Sequence, residues 1–265
     1  MEFLRTARRK SLLSEIIYIG LNIALAGLVL LLVVTTGTPW AALLLVVLSK
    51  WRIFAVRPRY WFAHVESNMV DVIVGVGTVL LMYTAGQIAP GGALLTQIIL
   101  AVLYVLWLLL LKPRSKHVLV SLQAAVAVVV GTMAVASVSY EWWSSAFVLF
   151  MWLIGYAAAR HVLYIYSDEH TRYLSLIWGV VFAELGWVSY HLLVTYELPF
   201  GLAIKVPEIT LILIGLSFVA ERIFASQHAN DGEIKRNDIL MPVIFVTGLI
   251  AVLLLLFTSV SIGTV

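Results

Sequence analysis

The sequence predicts an all-α, polytopic transmembrane helix bundle of nine spans, with the amino terminus cytoplasmic and the carboxyl terminus exterior. Three observations lead there. The 265 residues are 62% hydrophobic and only 12% charged, with a mean hydropathy of +1.03. Such a chain would leave large apolar areas exposed in water, so its solvent is lipid. Nine apolar stretches run from end to end, most of them near the roughly 20 residues a helix needs to cross a bilayer. Finally, sixteen of the seventeen Lys and Arg residues fall in alternate gaps that share one face, as the positive-inside rule requires of short loops.

The spans are placed at 13–35, 40–56, 70–87, 94–111, 118–138, 146–166, 173–194, 209–225 and 239–260, within a single integral membrane domain over residues 1–265. The first follows a basic start, like a signal peptide. Its apolar run is too long for one and lacks a small-residue cleavage site, so it reads as an uncleaved helix. The second is short, and Lys50 and Arg52 stand in its last turns. It must end early or let those side chains reach the interface. The gaps before the odd-numbered spans then carry the bases on the cytoplasmic side. Only Lys205 stays outside. The exterior loops carry turn and aromatic residues instead, including Gly37-Thr38-Pro39-Trp40 and Tyr140-Glu141-Trp142-Trp143. Trp and Tyr there form an interfacial belt. Small residues four apart at Gly20/Ala24, Ala127/Gly131, Gly155/Ala159 and Gly179/Ala183 mark spans one, five, six and seven for close helix contact.

Several function classes fall away. The formal charge of +3 comes from bases that flank apolar spans and orient them, so no nucleic-acid partner is expected. There is no Cys, hence no disulfide framework and no thiolate chemistry. The six His residues (64, 117, 161, 170, 191 and 228) put no two at ligand spacing on one helix, so neither a metal nor a cofactor is expected. No H-E-x-x-H, G-x-S-x-G or phosphate-binding loop occurs. No stretch between spans is long enough for a soluble domain; the longest are 50–68 and 226–238. Any activity therefore belongs to the membrane or its faces, and the expected setting is a bacterial cytoplasmic membrane.

Two places stand out as candidate sites. Glu184 lies in the middle of the seventh span, where a charge costs about 2.5–3.5 kcal/mol on insertion scales. It should therefore be protonated, paired or facing water. Glu184, Trp187 and His191 lie at i, i+3 and i+7, one helical stripe expected to point into the bundle. Arg160, on the neighbouring span, is a candidate partner. The stripe could carry protons, or Glu184 could simply bond a neighbouring helix. Asn22, Gln97 and Gln123 should bond across helix pairs. Asp71 and Glu208 fall by expected helix starts, where a carboxylate suits the dipole.

The second place is the elbow 50–62, in which Lys50, Arg52, Arg57 and Arg59 are interleaved with five aromatics. Bases attract anionic lipid at about 1 kcal/mol each near the surface, so the elbow reads as an interfacial segment whose expected partners are membrane lipids, anionic ones among them. A sharper reading has Arg57 and Arg59 hold the phosphate oxygens of a phosphorylated lipid or lipid-linked carrier. Lys50, six residues and then Arg57-Pro58 resemble the K-x6-R-P box of the type 2 phosphatidic-acid phosphatases, membrane enzymes that hydrolyse lipid phosphates. That family's P-S-G-H and S-R-x5-H-x3-D boxes do not occur here, so the resemblance implies a phosphate contact without a nucleophile. Ala183-Glu184-Leu185-Gly186-Trp187 with Tyr190-His191 resembles a pattern in multi-pass proteins of reduced-genome bacteria, which brings no activity with it.

Three readings stay open. The first is a non-enzymatic membrane component, a scaffold or assembly partner for other membrane proteins. The second is a transporter or lipid-handling protein using Glu184, His191 and the elbow, and the third an enzyme acting on a lipid phosphate.

Overall fold

A computed structural model of the chain describes residues 12–53, 55, 57–88, 93–139, 142–166, 170–192, 194–198, 201–230 and 232–256. Among these are nine α-helices: α1 (Leu12–Thr36), α2 (Trp40–Ser49), α3 (Trp61–Ile88), α4 (Ala93–Leu106), α5 (His117–Val138), α6 (Ser144–Leu163), α7 (Thr171–His191), α8 (Glu208–Ala229) and α9 (Arg236–Leu256). Eight are long and apolar enough to cross a membrane. The helix α4 runs on into a π-helical segment, Trp107–Leu111. Two three-residue strands, β1 (Thr195–Glu197) and β2 (Lys205–Pro207), pair antiparallel between α7 and α8.

The exception is α2. Its ten residues rise only about 15 Å, half of the roughly 30 Å hydrocarbon core. The expected span 40–56 is therefore not one helix: it ends at Ser49, and 3-10 turns at Trp51–Ile53 and Pro58–Tyr60 carry the chain onward. Yet the chain still returns along the bundle. The end of α1 (Val33) with Gly37 just after it, and the end of α3 (Tyr83, Gly86), meet the start of α4 (Ala93, Gln97) around one small cavity. Because α1 and α3 both finish at that end, the segment between them must run back to the opposite end, half as helix and half as turns. Gly37 makes the first reversal possible with a φ of +62°, a conformation that costs glycine little. Irregular backbone at membrane depth is tolerated where protein covers it, and α2 packs against both α1 and α3.

Small residues set the closest helix contacts, as expected for spans five, six and seven. A Cβ added at Gly155 would sit 2.5 Å from Cγ of Phe182, one at Gly179 would sit 2.9 Å from the Trp152 indole nitrogen, and one at Gly131 would meet Ile73 and Ile154. The helices α6 and α7 are consequently the most tightly joined pair. Span one departs from the expectation, because a Cβ at Gly20 would meet nothing within 4 Å. Gly77 instead brings α3 onto the backbone of Val130 in α5. At the far end of the bundle Thr132 and Thr210 bond at 2.8 Å and fasten α5 to α8. The hairpin folds inward, with Ala203 N–H donating to Thr96 Oγ1 at 3.0 Å.

Phe182 is fully buried against Gly155. Gly155→Ala should therefore cost about 1–3 kcal/mol as an overpacking change, read as a lower midpoint in detergent unfolding. Gly248→Ala, where an added methyl meets nothing within 4 Å, should be neutral or gain up to about 1 kcal/mol.

Candidate functional site

The densest polar assembly lies where α2 breaks off. Lys50, the residue after α2, buries its side chain and donates from Nζ to Oδ2 of Asp71 on α3. The same oxygen receives Nζ of Lys112 at 2.8 Å, and Oδ1 accepts the Trp107 indole N–H at 3.2 Å. Trp107 opens the π-helical segment, and Lys112 follows that segment directly. One carboxylate thus ties the end of α2 to α3 and to the end of α4. A buried ion pair holds only when its remaining valences are satisfied, and the indole takes up the second oxygen. Asp71 is not a helix-start residue as the sequence suggested. The helix α3 begins ten residues earlier, at Trp61.

A second, partly buried group joins α3 to α6. Arg160 reaches Oε2 of Glu66 at 2.8 Å, while the Tyr156 hydroxyl donates to Oε1 of the same carboxylate. Arg160 therefore pairs with Glu66 and not with Glu184. Next to it, Gln123 Nε2 donates to the carbonyls of Leu111 at 2.6 Å and Arg114 at 2.9 Å, and Gln123 Oε1 meets His161 Nε2 at 2.7 Å. Gln123 thus satisfies carbonyls freed where the π-helical segment ends. Gln97 bonds across to α3, through Met82 O at 2.9 Å. Asn22 bonds only within its own helix, to Tyr18 O at 2.8 Å.

The stripe of α7 is real but faces the other way from the expectation. Glu184, Trp187 and His191 are all exposed, with the Trp187 and His191 rings 4.9 Å apart. The cause is the opposite stripe: Ser175, Gly179, Phe182, Gly186 and Ser189 are buried, with Gly179 and Gly186 held close to Trp152 and Met151 of α6. At about 100° per residue, Glu184 stands some 200° around the helix from Phe182 and must point outward. The buried stripe is visible in the sequence as small residues at helical spacing, and it outweighs the polar one.

In the elbow, Lys50 is committed to Asp71, whereas Arg57 and Arg59 are exposed. The Arg59 guanidinium lies 4.7 Å from the centre of the Tyr60 ring. The side chain of Arg52 lies outside the described residues. The structure thus separates Lys50 from the two arginines with which it would share a phosphate.

A cavity of about 390 Å³ opens among α5, α6, α7 and α8 and is almost wholly apolar. Small residues on α5 and α6 (Ala124, Ala125, Ala158, Ala159) leave the space, and Ile177 and Phe218 flank it on α7 and α8. Glu221 is its acidic member. Neither Glu184 nor Asp71 lines it.

Removing the counter-charge of Lys50 is the sharpest test of the buried assembly. Asp71→Asn should cost about 3–5 kcal/mol, because an uncompensated ammonium stays buried. The double change Lys50→Met/Asp71→Leu should recover part of that loss. Lys112→Ala, whose ammonium is half-buried, should cost about 1 kcal/mol or less. All three are read as unfolding midpoints of the purified protein in one detergent. Comparison of the chain with protein-family models, with curated proteins and with solved structures finds no match.

Proposed function

We propose that this integral membrane protein is a non-enzymatic component that assembles laterally with another membrane protein along the outer face of α7. The observation that carries this reading is Glu184. Its carboxyl stands on the exposed side of α7, thirteen residues and so about 20 Å from the first residue of the helix. It has neither hydrogen bond nor ion pair among the described residues. Lipid gives a carboxyl at that depth nothing to bond, and the cost on insertion scales reaches about 2.5–3.5 kcal/mol at the bilayer centre. A neighbouring helix that places a hydrogen-bond donor at the same depth removes that cost and gains an interhelical bond. Trp187 and His191 continue the same face toward the hairpin, and Ile177, Val180 and Val188 supply its apolar contact.

The proposal includes nine crossings of a cytoplasmic membrane, with the amino terminus inside and the segment 37–60 as the second crossing. Support comes from the parallel course of α1 and α3 and from the bases gathered at one end of the bundle. A transport reading would be supported by a polar cavity reaching Glu184. The cavities described above are instead an apolar cleft and a small space at the ends of α1 and α3. A lipid-phosphate reading has Arg57 and Arg59 in its favour, but Lys50 is occupied by Asp71.

The chain has no cysteine of its own, so a single introduced photo-crosslinking residue or cysteine reports one place only. A photo-crosslinker at Val180 or Trp187, activated in the native membrane, should yield one adduct of discrete mass that a crosslinker at Leu103 on α4 does not. Glu184→Gln should keep the adduct, and Glu184→Ala should remove it. Glu184→Leu should remove it while raising the stability of the isolated protein by about 2–3 kcal/mol. An adduct of twice the chain mass, or lipid adducts alone, would overturn the proposal.

A further inference from the structure

The apolar cleft ends in polar groups that the bundle satisfies only in part. On the side toward the start of α5 and the end of α8 it is lined by Ser121, Ser217 and Glu221. The hydroxyls of Ser121 and Ser217 are buried and have no hydrogen-bond partner, and the same holds for the Tyr166 hydroxyl and for Nε2 of His117. Buried polar atoms left this way each forfeit a bond they could make in water. Glu221 is largely buried as well, and its basic neighbours stay beyond hydrogen-bond reach: His117 Nδ1 at 4.0 Å and Arg222 Nε at 3.6 Å. The first lies at the edge of an ion contact and the second belongs to a half-exposed side chain.

The cleft itself follows from how α7 and α8 are held. The helix α7 is fastened to α6 by its glycines, and α8 to α5 by the Thr132–Thr210 bond and by buried Leu213. Those attachments leave α7 and α8 with little contact between them. Ile177 and Phe218, both exposed and both lining the cleft, mark a mouth that opens sideways toward lipid. A volume of about 390 Å³ is in the range of a small-molecule site, for which an apolar lining with a few converging polar groups is the usual pattern.

We infer that this cleft binds an amine-bearing membrane lipid, with one hydrocarbon tail between α7 and α8 and its ammonium donating to Glu221. An ammonium carries three N–H donors and no acceptor, which answers a carboxylate and two free hydroxyls. A quaternary ammonium has the same charge but no N–H to give. An anionic head brings like charge to Glu221. The site borders the α7 outer face at Ile177, whereas Glu184, Trp187 and His191 do not line it.

The test uses the purified full chain in nanodiscs, with photoactivatable phosphatidylethanolamine carrying its reactive group in one acyl chain. Label should concentrate on peptides containing residues 174–178 and 214–218. Unlabelled phosphatidylethanolamine should compete about tenfold better than phosphatidylcholine or phosphatidylglycerol, the ratio expected for one hydrogen bond to a charged group. Glu221→Gln should lose that tenfold preference while leaving the unfolding midpoint close to that of the parent. Ser217→Phe should remove cleft labelling by filling the space. Glu184→Gln should leave labelling unchanged. Label spread evenly over all lipid-facing helices, or a preference that survives Glu221→Gln, would overturn the assignment, even should Ser217→Phe fail to fold. Equal competition by all three lipids would overturn the amine specificity.

Discussion

The Asp71 carboxylate, shared between Lys50 and Lys112, is the interaction on which the first half of the bundle depends. The helix α2 stops halfway along its path, and the residue that follows is a lysine whose ammonium is carried inside the protein. A charge in low dielectric needs an opposite charge at contact distance and further bonds for its remaining valences. Asp71 supplies the charge, and Trp107 completes the carboxylate. The π-helical segment that carries Trp107 ends immediately before Lys112, so the irregularity at the end of α4 delivers the indole and the second ammonium to one place. Backbone that leaves helical geometry at membrane depth must be covered by protein, and the same ion cluster that neutralises Lys50 draws α2, α3 and α4 together over it.

The second half is organised by close packing. Gly155 and Gly179 admit side chains of the facing helix, with Phe182 seated against Gly155 and Trp152 against Gly179. Without a hydrophobic drive between helices in lipid, such contact is what selects neighbours. It also fixes the rotation of α7, with two consequences. The stripe Glu184–Trp187–His191 is turned outward, and α7 is committed to α6, so that α8 stands apart from it and a cleft remains between them. One packing decision thereby creates both the outward stripe of α7 and the cleft beside it.

Polar groups within the helices divide along the same line. Gln97 and Gln123 bridge between elements, whereas Asn22 bonds its own turn. Arg160 takes Glu66, which stands in the first part of α3 near the basic end, not the acid on the adjacent helix. Each cation of the interior is matched to an acid at its own depth. Glu184, which has no ion pair or hydrogen bond among the described residues, is left to the exterior.

Much was legible in the sequence. The apolar character, the helical class, the approximate places of eight helices long enough to cross a membrane and the gathering of bases in alternate gaps follow from hydrophobic length and charge placement. These depend on each segment's own contact with lipid and water. The small-residue pairs on spans five, six and seven likewise announced close contact. Other features were decided only by the tertiary structure: that α2 ends at Ser49, that Asp71 lies inside α3 as a counter-ion, that Arg160 meets Glu66, and that Glu184 faces out. Periodicity tells which residues share a face but not which of two opposed faces a neighbouring helix covers. That choice rests on shape fit and ion pairing between segments distant in the chain, such as Gly155 with Phe182 and Lys50 with Asp71 and Lys112, and it exists only once the helices are assembled.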